Sequence, residues 1–270
     1  VCSSDLILMP QEKKYDITPL SDCLQTLLGP GGCPWDREQT HQSIRQNFLE
    51  EAHEVVETID QNDLPHMQEE LGDMLLQVLF HSMIAEKNGE FTFADVVDGI
   101  TQKMIRRHPH VFGEEKAKNA DEVLSNWEAI KLKEHKDDAE QSIMTKLPPT
   151  MPALMRAEKV QEKARRVGFD WENADGAWQK VYEELDELKE AVGHEDNIQE
   201  ELGDVLFSVV NVARFAKVDA ETALKGTTDK FISRFKYLEK KAREENRQLS
   251  DYSLAQMDKW WDEAKNLERK

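Results

Sequence analysis

The sequence predicts an all-α protein arranged as a tandem repeat of two helical modules. Three observations carry this. Alternation of β-branched and polar residues long enough for a strand is absent, apolar residues recur at helical spacing in one segment after another, and four sets of landmarks recur in the same order. Glu51 and Glu184 stand 133 positions apart, Glu70 and Glu201 131, Lys103 with Arg107 and Lys230 with Arg234 127, and Trp127 with Lys131 and Trp261 with Lys265 134. A period this long marks two copies of a whole module, not a solenoid of short repeats. At 270 residues the chain is long enough for two domains, each with its own core. The expected division is an unassigned segment over 1–14, a first module over 15–133, a linker over 134–152 and a second module over 153–270.

In the first module, a helix over Thr18–Leu28 is closed by Gly29-Pro30-Gly31-Gly32, a run that no regular element tolerates well. Ser43–Asp60 carries Leu49, Ala52, Val55, Val56 and Ile59 on one stripe. Asn62-Asp63 caps Leu64–Asn88, which has Pro65 in its first turn and Leu71, Met74, Leu75, Val78 and Leu79 as its apolar face. Thr92 and Asp95 form a capping-box-like start for a helix that ends at His108-Pro109, and a last helix covers Asp121–Glu134. Lys133–Pro152 is first charged and then rich in proline, as an exposed linker is. The second module repeats the plan with Met155–Arg166, a turn at Gly168-Phe169-Asp170-Trp171, Gly176–Val192, Asn197–Ala216, Ala220–Arg247 and Ser253–Leu267.

Lys plus Arg number 35 against 54 Asp plus Glu, a net charge of −19. That balance argues against a nucleic-acid polymer or an anionic membrane as the main partner, since both reward a basic surface. Cys2, Cys23 and Cys33 show no C-x-x-C spacing and none lies in the second half, so neither a disulfide framework nor a zinc site is expected, and the chain reads as cytoplasmic. No segment approaches the roughly 18 consecutive apolar residues of a membrane helix. Val1–Pro10 is mildly apolar, without a basic stretch or a small-residue cleavage pattern; it reads as a gene-assembly remnant, with Met9 as a candidate start, and is given no function.

The chemistry lies in the acids. Glu-Glu-x-x-Glu followed by Glu-x-x-Asp occurs twice, as Glu50, Glu51, Glu54 with Glu70, Asp73, and as Glu183, Glu184, Glu187 with Glu201, Asp204. On a helix, positions i and i+3 lie about 60° apart around the axis and about 4.5 Å along it, so each short motif points two carboxylates from one face. Two such helices packed antiparallel bring four carboxylates into one small volume, which is costly unless a cation sits among them. Glutamate is also a good helix former, and either half-motif alone suits a solvated face. Position favours the metal reading: Glu70, Asp73, Glu201 and Asp204 flank the apolar Leu71, Met74, Leu202 and Val205 at the expected edge of the core. Gly72 and Gly203 fall mid-helix at a cost of about 1 kcal/mol each relative to Ala, which predicts close approach of another helix or a ligand.

With Gly32-Cys33-Pro34-Trp35-Asp36, Gln39-Thr40, Arg106-Arg107-His108-Pro109-His110-Val111-Phe112 and Trp127-Glu128-Ala129-Ile130-Lys131, the paired acidic motifs resemble the MazG nucleoside triphosphate pyrophosphohydrolases over roughly Thr18–Leu267. His53, inside the first acidic motif, is a less usual occupant. The resemblance implies tandem four-helix-bundle-like modules, usually dimeric, that use Mg²⁺ to cut a nucleoside triphosphate into monophosphate and pyrophosphate, with activity chiefly in the second copy. Mg²⁺, or Mn²⁺ in its place, would be held by Glu184, Glu187, Glu201 and Asp204, and likewise by Glu51, Glu54, Glu70 and Asp73, because hard cations take oxygen ligands. Glu183 and Glu50, leading each pair, are the candidates for orienting or deprotonating the attacking water. Lys230 and Arg234, and Lys103 and Arg107, stand at i and i+4 on one helical face and suit a phosphate tail, their bland reading being a solvated basic stripe. Trp261 and Trp127 are candidates for stacking on the base or closing the site, although a Trp on such a helix is commonly core. Lys265 and Lys131 are phosphate contacts or helix C-terminal charges. Trp35 reads as a loop anchor packing the module entrance, and His108-Pro109-His110 as a structural turn.

Two other classes compete. A di-iron bundle needs a Glu-x-x-His from each of two helices, and here Glu50-Glu51-Ala52-His53 supplies one while Glu183-Glu184-Leu185-Asp186 supplies none. A non-catalytic nucleotide-sensing or protein-binding bundle is the stronger rival.

Overall fold

The computed structural model describes residues 16–134, 142–144 and 147–268, and the chain divides into two compact units, 1–139 and 140–270. The described residues hold only helices and turns. The first unit contains α1 (Thr18–Leu28), α2 (Pro34–Glu38), α3 (Arg45–Gln61), α4 (Leu64–Asn88), α5 (Phe93–Arg107), α6 (Pro109–Phe112) and α7 (Ala120–Lys133). The second contains α8 (Ala153–Arg166), α9 (Ala174–His194), α10 (Ile198–Phe215), α11 (Ala220–Glu244) and α12 (Leu254–Leu267), with a 3-10 turn at Leu249–Asp251. The expected 1–14 segment and most of the charged part of the expected linker lie outside the described residues.

Local chemistry sets the boundaries. Asp63 caps α4 by accepting from the His66 amide, and the chain leaves that helix through Gly89 at φ 73°, where glycine carries no steric cost. Thr92 and Asp95 form the reciprocal capping box that starts α5. Helix α3 begins two residues later than its apolar stripe suggests. The Ser43 hydroxyl donates to Gln39 Oε1 at 2.7 Å and accepts from the Thr40 amide at 2.9 Å, a local network that competes with the helical ladder. Helix α11 stops at Glu244 instead of Arg247, because Asn246 turns left-handed at φ 55° and the Arg247 amide donates back to the Ala242 carbonyl at 3.0 Å.

The first core joins Leu24 of α1, Ile44 ahead of α3, and Leu79, Phe80 and Ile84 of α4. Ala177 and Val181 of α9, Val210 of α10, Leu238 and Ala242 of α11 and Ala264 of α12 are buried in the second unit. Burial at this level stabilises by about 1.5–3 kcal/mol for each large aliphatic side chain. Helices α3 and α4 pack together, as do α9 and α10, and α11 packs on α12. These pairings place the acidic motifs.

Three expectations are corrected. Trp35 is not a loop anchor: Pro34 at the first helical position starts the short α2, and Trp35 on it is 58% exposed. A side-chain carbon at Gly72 or Gly203 would meet nothing within 4 Å beyond its own turn of helix, so among the described residues no other helix makes the expected close approach. The reason is shared with the third correction. Leu71 and Leu75 on α4, and Leu202 and Leu206 at the matching places on α10, are exposed, so the stripe beside each acidic motif is an open apolar face and not a core edge.

Candidate metal and triphosphate site

In the second module, Ala177, Val181 and Glu184 follow one another at i, i+4 and i+7 on the buried stripe of α9. Glu184 is thereby a carboxylate only 5% exposed, held toward α10. Glu201 and Asp204, one turn apart on α10, complete a set whose ligand oxygens all lie within 4.8 Å of one another. Glu187 sits beside it, its carboxyl raised by burial first and then by the charge of Glu184. Glu183 is exposed and accepts from Lys180 Nζ at 2.8 Å, and the same ammonium reaches Glu184 Oε1 at 2.5 Å. The two carboxylates push the Lys180 pKa upward. Sequence reasoning missed Lys180, although its i, i+3 and i, i+4 spacing to Glu183 and Glu184 was there to be read.

The first module builds the same set from Glu51 of α3 and Glu70 and Asp73 of α4, again with ligand oxygens within 4.8 Å. Burial, then the charge of Asp73 and of Glu54, raises Glu51, which also hydrogen-bonds Gln77; burial, then the charge of Glu54, raises Glu70. In both modules loss of water leads in raising these carboxyls, and the crowding of like charges adds to it. Glu54 and Glu187, expected as fourth ligands, neighbour the clusters but fall outside the three-member sets. Glu50 is exposed on α3, close enough for its charge to act on Glu51. Asn47 stands where the second module has Lys180, so the first cluster has no matching ammonium.

One arginine and one tryptophan of the basic and aromatic candidates meet in each module. Arg234 of α11 lies over Trp261 of α12 at 5.5 Å to the ring centroid, and Phe231 tilts against the same ring at 5.0 Å. In the first module Arg107 lies over Trp127 at 5.4 Å, with His108 edge-on to that indole at 4.8 Å. The His108 ring nitrogen Nδ1 meets the Met104 carbonyl at 2.6 Å, which fits the structural turn expected there. Lys103 and Lys230 are exposed, Lys265 is half-buried, and the Lys131 side chain lies outside the described residues.

The donor set of each acidic cluster is oxygen only, without His or Cys. That chemistry fits a hard divalent cation and not a transition metal drawn to nitrogen or sulfur.

Comparison with known proteins agrees with the repeat. The sequence profile of the MazG nucleotide pyrophosphohydrolase domain matches residues 39–112 and again 175–238. "Nucleoside triphosphate pyrophosphohydrolase/pyrophosphatase MazG" of Thermotoga maritima is 43% identical over 246 residues, covering 91% of this chain and 94% of that protein. "Nucleoside triphosphate pyrophosphohydrolase" of Escherichia coli K12 is 40% identical over 257 residues, 93% of this chain and 98% of that one. "Uncharacterized protein YabN" of Bacillus subtilis is 50% identical over 95% of this chain, which spans only 53% of that longer protein. With the domain matched twice and these relatives aligned along nearly the whole sequence, the chain belongs to the MazG nucleotide pyrophosphohydrolase family.

Proposed function

We propose that the protein hydrolyses nucleoside triphosphates, ribo and deoxyribo, to monophosphate and pyrophosphate with Mg²⁺ or Mn²⁺, in nucleotide-pool control or house-cleaning. The observation that carries this reading is the three-carboxylate cluster, built twice from the same motif on a packed helix pair. The relatives named as nucleoside triphosphate pyrophosphohydrolases support the substrate class.

Glu184, Glu201 and Asp204, with Glu187 beside them, would hold the cation in the second module; Glu51, Glu70, Asp73 and Glu54 would do so in the first. Bound there, the ion supplies charge neutralisation at the phosphate oxygens and Lewis acidity at phosphorus. The chain's own groups do the rest. Lys230, Arg234 and Lys265 bind the triphosphate, and Trp261 borders the nucleoside; Lys103, Arg107, Lys131 and Trp127 are their counterparts. Glu183, exposed beside the cluster, orients a water and takes its proton, as Glu50 does in the first module. The water oxygen bonds to phosphorus, the α–β anhydride bond breaks, and pyrophosphate leaves as a unit. We assign the main activity to the second module.

The exposed apolar faces support a homodimer. Leu202, Leu206 and Val209 on α10, with Leu224, Phe231, Ile232 and Phe235 on α11, are exposed large apolar residues of the kind an interface between copies covers. No helix among the described residues is long and apolar enough to cross a membrane, and the acidic balance disfavours nucleic acid; a cytoplasmic location accords with both.

The test is pyrophosphate release from a panel of ribo- and deoxyribonucleoside triphosphates. Turnover should require Mg²⁺ or Mn²⁺, and full activity in excess chelator would overturn the metal reading. Nucleotide binding without pyrophosphate release would favour the non-catalytic sensing bundle.

A further inference from the structure

Each module holds the arginine proposed to contact phosphate by the same edge. Arg234 Nε and Nη2 both donate to Glu268 Oε2, at 2.9 and 2.7 Å. Arg107 Nε and Nη2 both donate to Glu134 Oε2, at 3.1 and 2.6 Å. In both cases the carboxylate comes seven residues after the tryptophan over which the same guanidinium lies, two turns along and on one face of the helix line. The pairs are largely withdrawn from solvent: side-chain exposure is 12% and 17% for Arg107 and Glu134, and 19% and 32% for Arg234 and Glu268.

The two modules reach this arrangement with different surroundings. In the first, Arg106 Nε also donates to Glu134, through Oε1 at 2.7 Å. In the second, the matching position is Ser233, which is uncharged and too short for that role. What recurs is therefore the clamp on one guanidinium, not a generic network of charges.

A guanidinium has five N–H groups in a rigid plane. The glutamate takes Nε–H and one N–H of Nη2, and the indole covers a face. The Nη1 edge remains, with the other Nη2 hydrogen, as a second fork matched to phosphate oxygens.

We propose that Glu268, and Glu134 in the first module, are positioning residues: each clamps the Nε edge of its arginine so that the Nη1 edge is presented to the triphosphate. This rests on the reading of Arg234 as a triphosphate contact. An arginine that grips the tail equally in the ground and transition states contributes to KM and not to kcat, so loss of its clamp shows in the same quantity.

The experiment uses the full chain with Mg²⁺ and two readouts. One is calorimetric binding of α,β-methylene-ATP; the other is steady-state pyrophosphate release from ATP. Glu268→Ala should raise both Kd and KM about tenfold with kcat within about twofold, and Glu268→Gln, which keeps a neutral hydrogen bond, about threefold. In an Arg234→Ala background, Glu268→Ala should add nothing, since the clamp then has nothing to hold. An equal loss in that background would make Glu268 a general brace between α11 and α12 and overturn the proposal. Tighter binding in Glu268→Ala would overturn it as well, showing a carboxylate that competes with phosphate. If the wild type binds the probe and releases pyrophosphate but Glu268→Ala matches it, only the positioning role fails. If the wild type does neither, the triphosphate reading fails and takes this inference with it.

Discussion

Glu184 is the residue on which the site turns. A carboxylate placed on the buried stripe of α9 costs stability unless positive charge meets it, and Lys180 meets it here from one turn away. Replacing Glu201 or Asp204 with lysine puts a fixed cation among the ligands and removes one of the three carboxylates a metal would use. Either change should cut turnover by about 100-fold or more, whereas Glu70→Lys should leave it within about threefold. Equal losses from both sets would mean shared catalysis, and a larger loss from Glu70→Lys would move the main site to the first module. A second residue-scale prediction concerns Glu134, whose carboxyl is held at about 2, against an ordinary 4.5, first by Arg107 and then by Arg106. A depressed folded-state pKa contributes stability that is fully present above the ordinary value and is lost as pH falls toward the depressed one. Glu134→Gln should thus unfold at lower denaturant than wild type at neutral pH, with the gap constant down to about pH 4.5 and closing below it. A gap that persists unchanged at about pH 3 would contradict the assignment.

At the scale of elements, the open faces of α4 and α10 carry the argument. Leu202, Leu206 and Val209 follow helical spacing, and all three stay exposed among the described residues. Leu206→Asp should convert a dimer to a monomer in analytical ultracentrifugation while the far-ultraviolet helical signal is kept. A wild-type chain that is already monomeric at micromolar concentration would refute the dimer. These faces also mark where sequence reading reached its limit. Periodicity located α4 to the residue and found Thr92–Asp95, because caps and stripes are encoded locally. It took Leu71, Leu75 and Leu202 for core neighbours, since an apolar stripe has the same period whether it meets its own chain or another. Trp35 was misplaced for a similar reason: Gly and Pro announce a break, but Pro34 also starts a helix. The acidic clusters were legible because i, i+3 spacing fixes geometry, while the arginine clamps were not, since Glu134 and Glu268 meet their partners only through tertiary packing.

At the scale of the whole molecule, one motif set has been built twice, and the copies have diverged in their surroundings. Lys180 replaces Asn47, Ser233 replaces Arg106, and Phe231 meets Trp261 where His108 meets Trp127. Such differences around a shared carboxylate set suit a division in which one copy works and the other is free to change. The central claim is that these carboxylates serve to cut a triphosphate between its α and β phosphates. Phosphorus NMR of a nucleoside triphosphate incubated with the full chain and Mg²⁺ tests it most directly. Resonances of nucleoside monophosphate and pyrophosphate should appear together in equal amounts and be absent when chelator replaces the metal, whereas nucleoside diphosphate with orthophosphate as the first products would contradict the account.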